Sequence, residues 1–327
     1  MDADSQTPLR WGFIGCGNIA NDFVNAMKGM ESGKILLSAC AGRSLDTAEK
    51  FAAQHGFARA YGSYEDLCAD PEVDVVYVAT IHIVHFDHIT LALNHGKHVL
   101  VEKPMTMNAK QTASVVELAK TKKLFLMEGV WTRFFPAIKF VRQLLAEGHI
   151  GDVHHVHGDI GVVFVNAQTE ANFRSSSGDG THRNLPAVVR DDATLEYSEN
   201  RFGTINFTAL AELGNSVTIT GSRGRIRIPS PAHSATEVTV TRFLEDGSQQ
   251  ETTTKFPRLE SSPSAATPFK YPGSEALVYE AKAVTEVIRA GQLQCEEYPL
   301  EESLAIAKIM DEIRQAVGVV YAADSGL

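Results

Sequence analysis

Arg10-Trp11-Gly12-Phe13-Ile14-Gly15-Cys16-Gly17-Asn18-Ile19-Ala20 is a short apolar run that enters a glycine turn and leaves as a helix. Phe13 and Ile14 suit a buried parallel strand. Gly15 permits the tight turn, Gly17 lets backbone approach a phosphate, and Ala20 is small enough for the new helix to pack on the strand. The N–H groups of Asn18 and Ile19 stand at that helix start and face whatever anion docks there, with the helix dipole adding to the attraction. The spacing is G-x-G-x-x-A, a permitted form of the dinucleotide fingerprint. Working outward, a helix over 18 to about 30 and an apolar strand over 35–41 complete the strand, helix, strand unit that the motif requires.

The end of the second strand decides which nucleotide fits. A free ribose 2′-hydroxyl calls for an acid about 20 residues past the glycines, whereas a 2′-phosphate calls for a cation. The chain offers Ala41-Gly42-Arg43-Ser44 there, with no carboxylate until Asp46. Arg43 can grip a phosphate bidentately and Ser44 can add a hydroxyl, so the expected cofactor is NADP rather than NAD. The alternative is that Arg43 is an ordinary solvated residue before a helix starting near Leu45.

A chain of 327 residues is long enough for two domains. Its net charge of −10, with no basic run, argues against nucleic-acid binding, because phosphate backbones need clustered Lys and Arg. Cys16, Cys40, Cys68 and Cys295 have no C-x-x-C spacing, which fits a reduced, cytoplasmic compartment. The polar first eight residues are no signal h-region, and no apolar run is long enough to span a bilayer.

Further along, 73–79 is a buried strand whose carboxyl end delivers Thr80-Ile81-His82-Ile83-Val84-His85-Phe86-Asp87-His88. In a doubly wound sheet the ligand lies outside the carboxyl ends of the strands, so Thr80 and one or two of the histidines are expected to line the cofactor, with His88 facing solvent. Histidine spacing of three invites a metal, but further ligands are not visible nearby and no metal is expected. The next strand, 98–101, ends in Glu102-Lys103-Pro104. Proline keeps Lys103 out of the α region and fixes where its amine points, which suits proton transfer; the alternative is a surface lysine in a turn. A helix over 108–121 and a strand over 124–127 close the parallel sheet. Trp131-Thr132-Arg133-Phe134-Phe135-Pro136 follows, an aromatic cluster with one arginine that reads equally as substrate pocket or interdomain core.

From 152 the period changes to that of strands: 154–165, 194–197, 203–210, 216–221, 225–228 and 236–243, with a hairpin at Gly221-Ser222-Arg223-Gly224. His155 and His157 should share one strand face. A Ser/Pro-rich loop over 257–272 and two helices, 274 to about 290 and 300 to about 317, finish the chain. The expected fold is α/β: a Rossmann doubly wound parallel sheet over 1–128, then an α+β domain with an open, mainly antiparallel sheet over 129–327.

Taken together, the glycine turn, Tyr61-Gly62-Ser63-Tyr64-Glu65, Glu102-Lys103-Pro104, Leu124-Phe125-Leu126-Met127-Glu128 with Trp131 to Pro136, Tyr279-Glu280-Ala281-Lys282 and Gln315-Ala316-Val317-Gly318-Val319 resemble the glucose-fructose oxidoreductase and inositol dehydrogenase family. Within it they are most similar to the dimeric dihydrodiol dehydrogenase branch, also described as NADP-dependent D-xylose dehydrogenase. The resemblance implies a homodimer formed through the open sheet, Lys103 at the hydride-transfer centre, and His85 beside coenzyme and substrate. It also implies Trp131 and Arg133 bordering the pocket, and a small polyol or dihydrodiol as substrate. The chain departs from the family pattern at one place. The stretch G-G-x-x-x-D-x-G-x-Tyr/His, which supplies an aspartate and a tyrosine or histidine to the lysine, is missing between 174 and 190, where Asp179 and His182 are three apart instead of four. Three readings stay open: a dehydrogenase working through Lys103, an NADP(H)-binding protein with impaired catalysis, and the product of an incomplete coding segment.

Overall fold

The structure is a computed structural model that describes residues 7–30, 33–163, 190–260 and 264–325. It divides into two compact units, 1–134 with 259–311, and 135–258 with 312–327.

The first unit is built on six parallel strands: β1 (Leu9–Ile14), β2 (Ile35–Ala41), β3 (Arg59–Tyr61), β4 (Val75–Val78), β5 (His98–Glu102) and β6 (Leu126–Gly129). Their order, β3-β2-β1-β4-β5-β6, is that of a doubly wound dinucleotide fold. The connections are α1 (Asn18–Met27), α2 (Leu45–His55), α3 (Tyr64–Ala69), α4 (His85–Asn94) and α5 (Ala109–Lys122). Both faces of the sheet are covered, so its central strands are apolar on both sides. Phe13, Tyr77, Leu100 and Met127 belong to one core, and Ile14, Val78, Val101 and Leu126 to the other. Phe23 of α1 stacks on Tyr77 at 4.1 Å, and Phe13 meets Tyr77 edge-on at 5.1 Å. Three helix starts are capped by side chains: Ser44 accepts from Thr47 N, Ser63 from Asp66 N, and Asn108 from Gln111 N.

The second unit carries α6 (Pro136–Ala146) and seven strands: β7 (Val153–Gly161), β8 (Arg190–Tyr197), β9 (Arg201–Thr208), β10 (Val217–Gly221), β11 (Gly224–Ile228), β12 (Glu237–Phe243) and β13 (Gln249–Lys255). They lie in the order β13-β12-β11-β10-β7-β9-β8, antiparallel throughout except for the β7–β9 pair. One face is apolar, with Ile219, Ile226, Ile228, Val238 and Val240 packed against Ala137, Val141 and Leu144 of α6. His155 and His157 do share a face, and both reach Thr204 Oγ1, at 3.1 and 2.9 Å. Strand β13, Gln-Gln-Glu-Thr-Thr-Thr-Lys, has no apolar residue for a periodicity to register; it forms an exposed edge, held by the ladder to β12 and by the Thr239–Thr253 hydroxyl contact of 2.9 Å.

The chain then returns to the first unit with α7 (Leu277–Arg289) and the larger part of α8 (Leu300–Ala316). This moves the boundary expected at 128. Ala281, Val284 and Ile288, spaced for one face of α7, are buried in the same core as Trp11 and Phe23. The 257–272 stretch, read as a bare loop, is tied to α1 by side chains buried on that helix. Asp22 accepts from Lys270 N and Tyr271 N at 2.7 and 2.9 Å, and Asn25 bonds Ala266 N and Thr267 O. Residues 164–189, which hold Asp179, His182 and most of the expected departure from the family pattern, lie outside the described residues. No helix among the described residues is long and apolar enough to cross a membrane.

Candidate active site

The carboxyl ends of β1, β2, β4 and β5 carry the candidate residues. At β1, Gly15 N donates to Ala41 O at 2.9 Å and Ala79 N donates to Ile14 O at 2.9 Å, which pins the turn between its two neighbouring strands. Gly15 has φ +102°, and a Cβ there would stand 2.9 Å from Ala79 O; both facts require glycine. Gly17 caps α1 without any side-chain bond, and the first helical donor with a backbone acceptor is Asn21 N, to Gly17 O. The N–H groups of Asn18, Ile19 and Ala20 are thus the orphan donors of the helix start. A Cβ on Gly17 would meet nothing within 4 Å, so open space lies in front of those donors. This cradle fits a phosphate or pyrophosphate.

At β2, Arg43 is exposed and makes no hydrogen bond or ion pair among the described residues. Asp46 is turned to Lys50 of its own helix at 2.7 Å, leaving no competing carboxylate on the guanidinium. Ser44 spends its hydroxyl on the α2 cap, 3.4 Å from Thr47 N and 2.9 Å from Thr47 Oγ1.

At β4, Ile81 and Ile83 are 65% and 55% exposed, apolar surface of the kind a nucleotide ring covers. Thr80 Oγ1 is bonded to His88 Nδ1 at 3.0 Å, and His88 also packs edge-on to Tyr64, so His88 is half-buried and does not face solvent. His85, expected beside coenzyme and substrate, is 1% exposed. Its Nδ1 lies 2.9 Å from Pro104 O and its Nε2 3.0 Å from Thr80 O, so the ring staples the turn after β4 to the turn after β5. Burial depresses its pKa. The ring three positions earlier, His82, is half-buried and has no hydrogen-bond partner among the described residues; burial lowers its pKa, and the charges of His85 and Lys103 add to that. His82 is the histidine free to turn to a ligand.

At β5, Glu102 and Lys103 part ways as neighbours on a strand must. Glu102 is buried and accepts from Tyr77 Oη at 2.5 Å, so it braces the end of β5 against β4. Lys103 is exposed, one residue before a cis proline. Below them lies an acidic interior. Glu128 accepts from Met105 N at 2.9 Å and from Tyr298 Oη at 3.3 Å, and both oxygens of the wholly buried Glu280 lack a partner among the described residues. Burial raises the pKa of all three carboxyls, that of Glu280 furthest. Arg133 is paired with Glu302 and lies 5.2 Å over the Tyr298 ring, while Trp131, half-buried, packs on the core. Tyr298 and Glu302 sit well over a hundred residues from Glu128 and Arg133, their partners, and nothing local in the sequence signals them. Among the described residues no group of three His, Cys, Asp or Glu could hold a metal ion.

Comparison with known proteins agrees with this geometry. Residues 9–130 match the GFO/IDH/MocA profile, an oxidoreductase family with an NAD-binding Rossmann fold. Trans-1,2-dihydrobenzene-1,2-diol dehydrogenase from Bos taurus is 31% identical, covering 97% of this chain and 99% of the relative. The enzyme of that name from Xenopus laevis is 34% identical, covering 95% and 99%. The bovine alignment runs over 343 positions, more than the 327 residues here, so the relative holds residues without counterpart in this chain. Among solved structures, levoglucosan dehydrogenase in complex with NADH and levoglucosan superposes with a TM-score of 0.78 at 18% identity, covering 95% of this chain and 98% of its own. A 3-ketoreductase from Actinomadura kijaniata in complex with NADP and TDP-benzene gives 0.74 at 21%, covering 94% and 98%. At these identities the two show the fold.

Proposed function

This chain belongs to the GFO/IDH/MocA oxidoreductase family, and from that premise we propose that it is an NADP-dependent dehydrogenase, oxidising a secondary alcohol of a small polyol, a trans-dihydrodiol or D-xylose, as a homodimer. The observation that carries the reading is the uncapped start of α1 in front of open space, on the same edge of the sheet as Arg43 and Lys103. When bound, the nicotinamide ring supplies the acceptor for the substrate's hydride. The N–H groups of Asn18 and Ile19 hold the pyrophosphate, and Arg43 grips the 2′-phosphate. Ile81 and Ile83 exclude water from the ring, beside Thr80 and His82. Lys103 orders the substrate hydroxyl and draws off its proton, with Trp131 and Arg133 at the pocket wall.

A second reading, cofactor binding without turnover, is favoured by the bovine relative's additional aligned positions. Turnover separates the two. Formation of NADPH with D-xylose or a dihydrodiol, reduced about 10²- to 10⁴-fold by Lys103→Met while NADPH still binds, is the expected result. Binding without turnover on the whole panel selects the second reading.

A further inference from the structure

The segment that returns to the first unit runs along α1 in one direction. Its first tie is to Asn25, which accepts from Ala266 N at 3.1 Å and donates to Thr267 O at 2.9 Å. One turn nearer the helix start, Asn21 accepts from Thr267 Oγ1 at 2.6 Å and donates to Pro268 O at 3.3 Å. The last tie is to Asp22, whose two oxygens accept from Lys270 N at 2.7 Å and from Tyr271 N at 2.9 Å. A helical side chain leans towards the N-terminus of its helix, so the carboxylate of Asp22 lies over the turn that holds Asn18 and Ile19. The segment therefore passes antiparallel to α1 and brings residues 270 and 271 to the end where the uncapped donors stand.

These bonds also settle the charges at that end. Asp22 is the only acid of α1 and is wholly buried, and Asn21 Nδ2 donates to it at 2.9 Å beside the two backbone donors, so its charge is spent before an anion arrives. Lys270 is held by its backbone, and its exposed ammonium has no hydrogen bond or ion pair among the described residues. The neighbouring Phe269 packs on the core, which leaves the lysine to the outside. Asp22 stands four residues, or about 6 Å, along the axis from Asn18, a span that a lysine stem covers. The donors of the glycine turn itself are neutral N–H groups, and Arg43 belongs to the end of another strand, β2.

We propose that Lys270 is a further cofactor-binding residue: its ammonium pairs with the pyrophosphate of the bound dinucleotide, and the ties of 266–271 to Asn25, Asn21 and Asp22 hold it at that place. The proposal rests on the nucleotide reading of the glycine turn. It divides the work between two cations. Lys270 meets the bridge that NADP and NAD have in common and adds affinity for both, by charge-assisted hydrogen bonds that the backbone donors alone do not supply. Arg43 meets the 2′-phosphate that only NADP carries and sets the choice between them.

Isothermal titration of the full chain with NADPH, NADH and ADP-ribose, for the unmodified protein and for Lys270→Ala, tests it. ADP-ribose keeps the pyrophosphate and lacks the nicotinamide. The expected result is a loss of about tenfold for all three ligands, with a weaker dependence of NADPH affinity on salt than the unmodified chain shows. Lys270→Arg, which keeps the charge, should recover most of the loss. The side chain is exposed, so the urea midpoint of Lys270→Ala should match that of the unmodified chain and separate lost binding from lost folding. Weakened NADPH and NADH beside unchanged ADP-ribose would put the ammonium at the nicotinamide end and overturn the proposal. Three unchanged constants in a chain that binds the ligands overturn it too, and leave the nucleotide reading standing. An unmodified chain that binds none of the three overturns that reading and the proposal with it.

Discussion

At the scale of single residues, two glycines two positions apart make opposite demands. Gly15→Ala meets a positive φ and a carbonyl at 2.9 Å, so it should cost about 1–3 kcal/mol of stability, read as a lower midpoint in urea. Gly17→Ala meets no neighbour within 4 Å, so its midpoint should stay near that of the unmodified chain while NADPH affinity falls tenfold or more, because the methyl occupies the phosphate's space. Arg43→Ala should weaken NADPH about 10- to 100-fold and leave NADH unchanged, the loss of charged hydrogen bonds to one phosphate. These residues were legible because their motif is contiguous and each chemical demand is local. The sense of the side chains after β4 and β5 was not. His85, expected beside the coenzyme, and Glu102 are both bonded inward, to Thr80 O with Pro104 O and to Tyr77 Oη. Strand alternation already opposes Glu102 to Lys103, so one of the two had to turn away.

At the scale of elements, α7 shows what sequence periodicity carries and what it omits. Its apolar stripe was readable, but not that the stripe buries Glu280 with it beneath the first sheet. A carboxyl whose folded pKa is raised binds its proton more tightly in the folded chain than in the unfolded one. Its stabilising share is therefore complete below the unfolded value of 4.5 and is lost as pH climbs from there towards the raised folded value. Glu102 and Glu128 act in the same direction. Glu280→Gln should flatten the fall in unfolding free energy between about pH 5 and pH 8, measured by urea denaturation at each pH. An unchanged slope would mean that Glu280 is ionised in the folded chain. The elements that sequence reading passed over have physical reasons. Strand β3 has three residues, β13 has no apolar one, and α6 begins at Pro136 inside an aromatic run that drew attention as a pocket.

At the scale of the whole molecule, alternating strands and helices declared the first unit, and the change of period near residue 152 declared the second. The division between them was less readable, because a chain that leaves a domain and comes back does so through contacts remote in sequence: α7 with α1, and the 266–271 backbone with Asn21, Asp22 and Asn25. Relatives aligned along 97% of the chain carry the oxidoreductase assignment across both units. The choice of NADP rests on Arg43, exposed at the end of β2 with the nearest carboxylate, Asp46, turned to Lys50. It is tested most directly by titrating the full chain with NADPH and with NADH under one buffer and reading each dissociation constant. NADPH held at least about tenfold more tightly is the expected result; equal affinity, or preference for NADH, would contradict it.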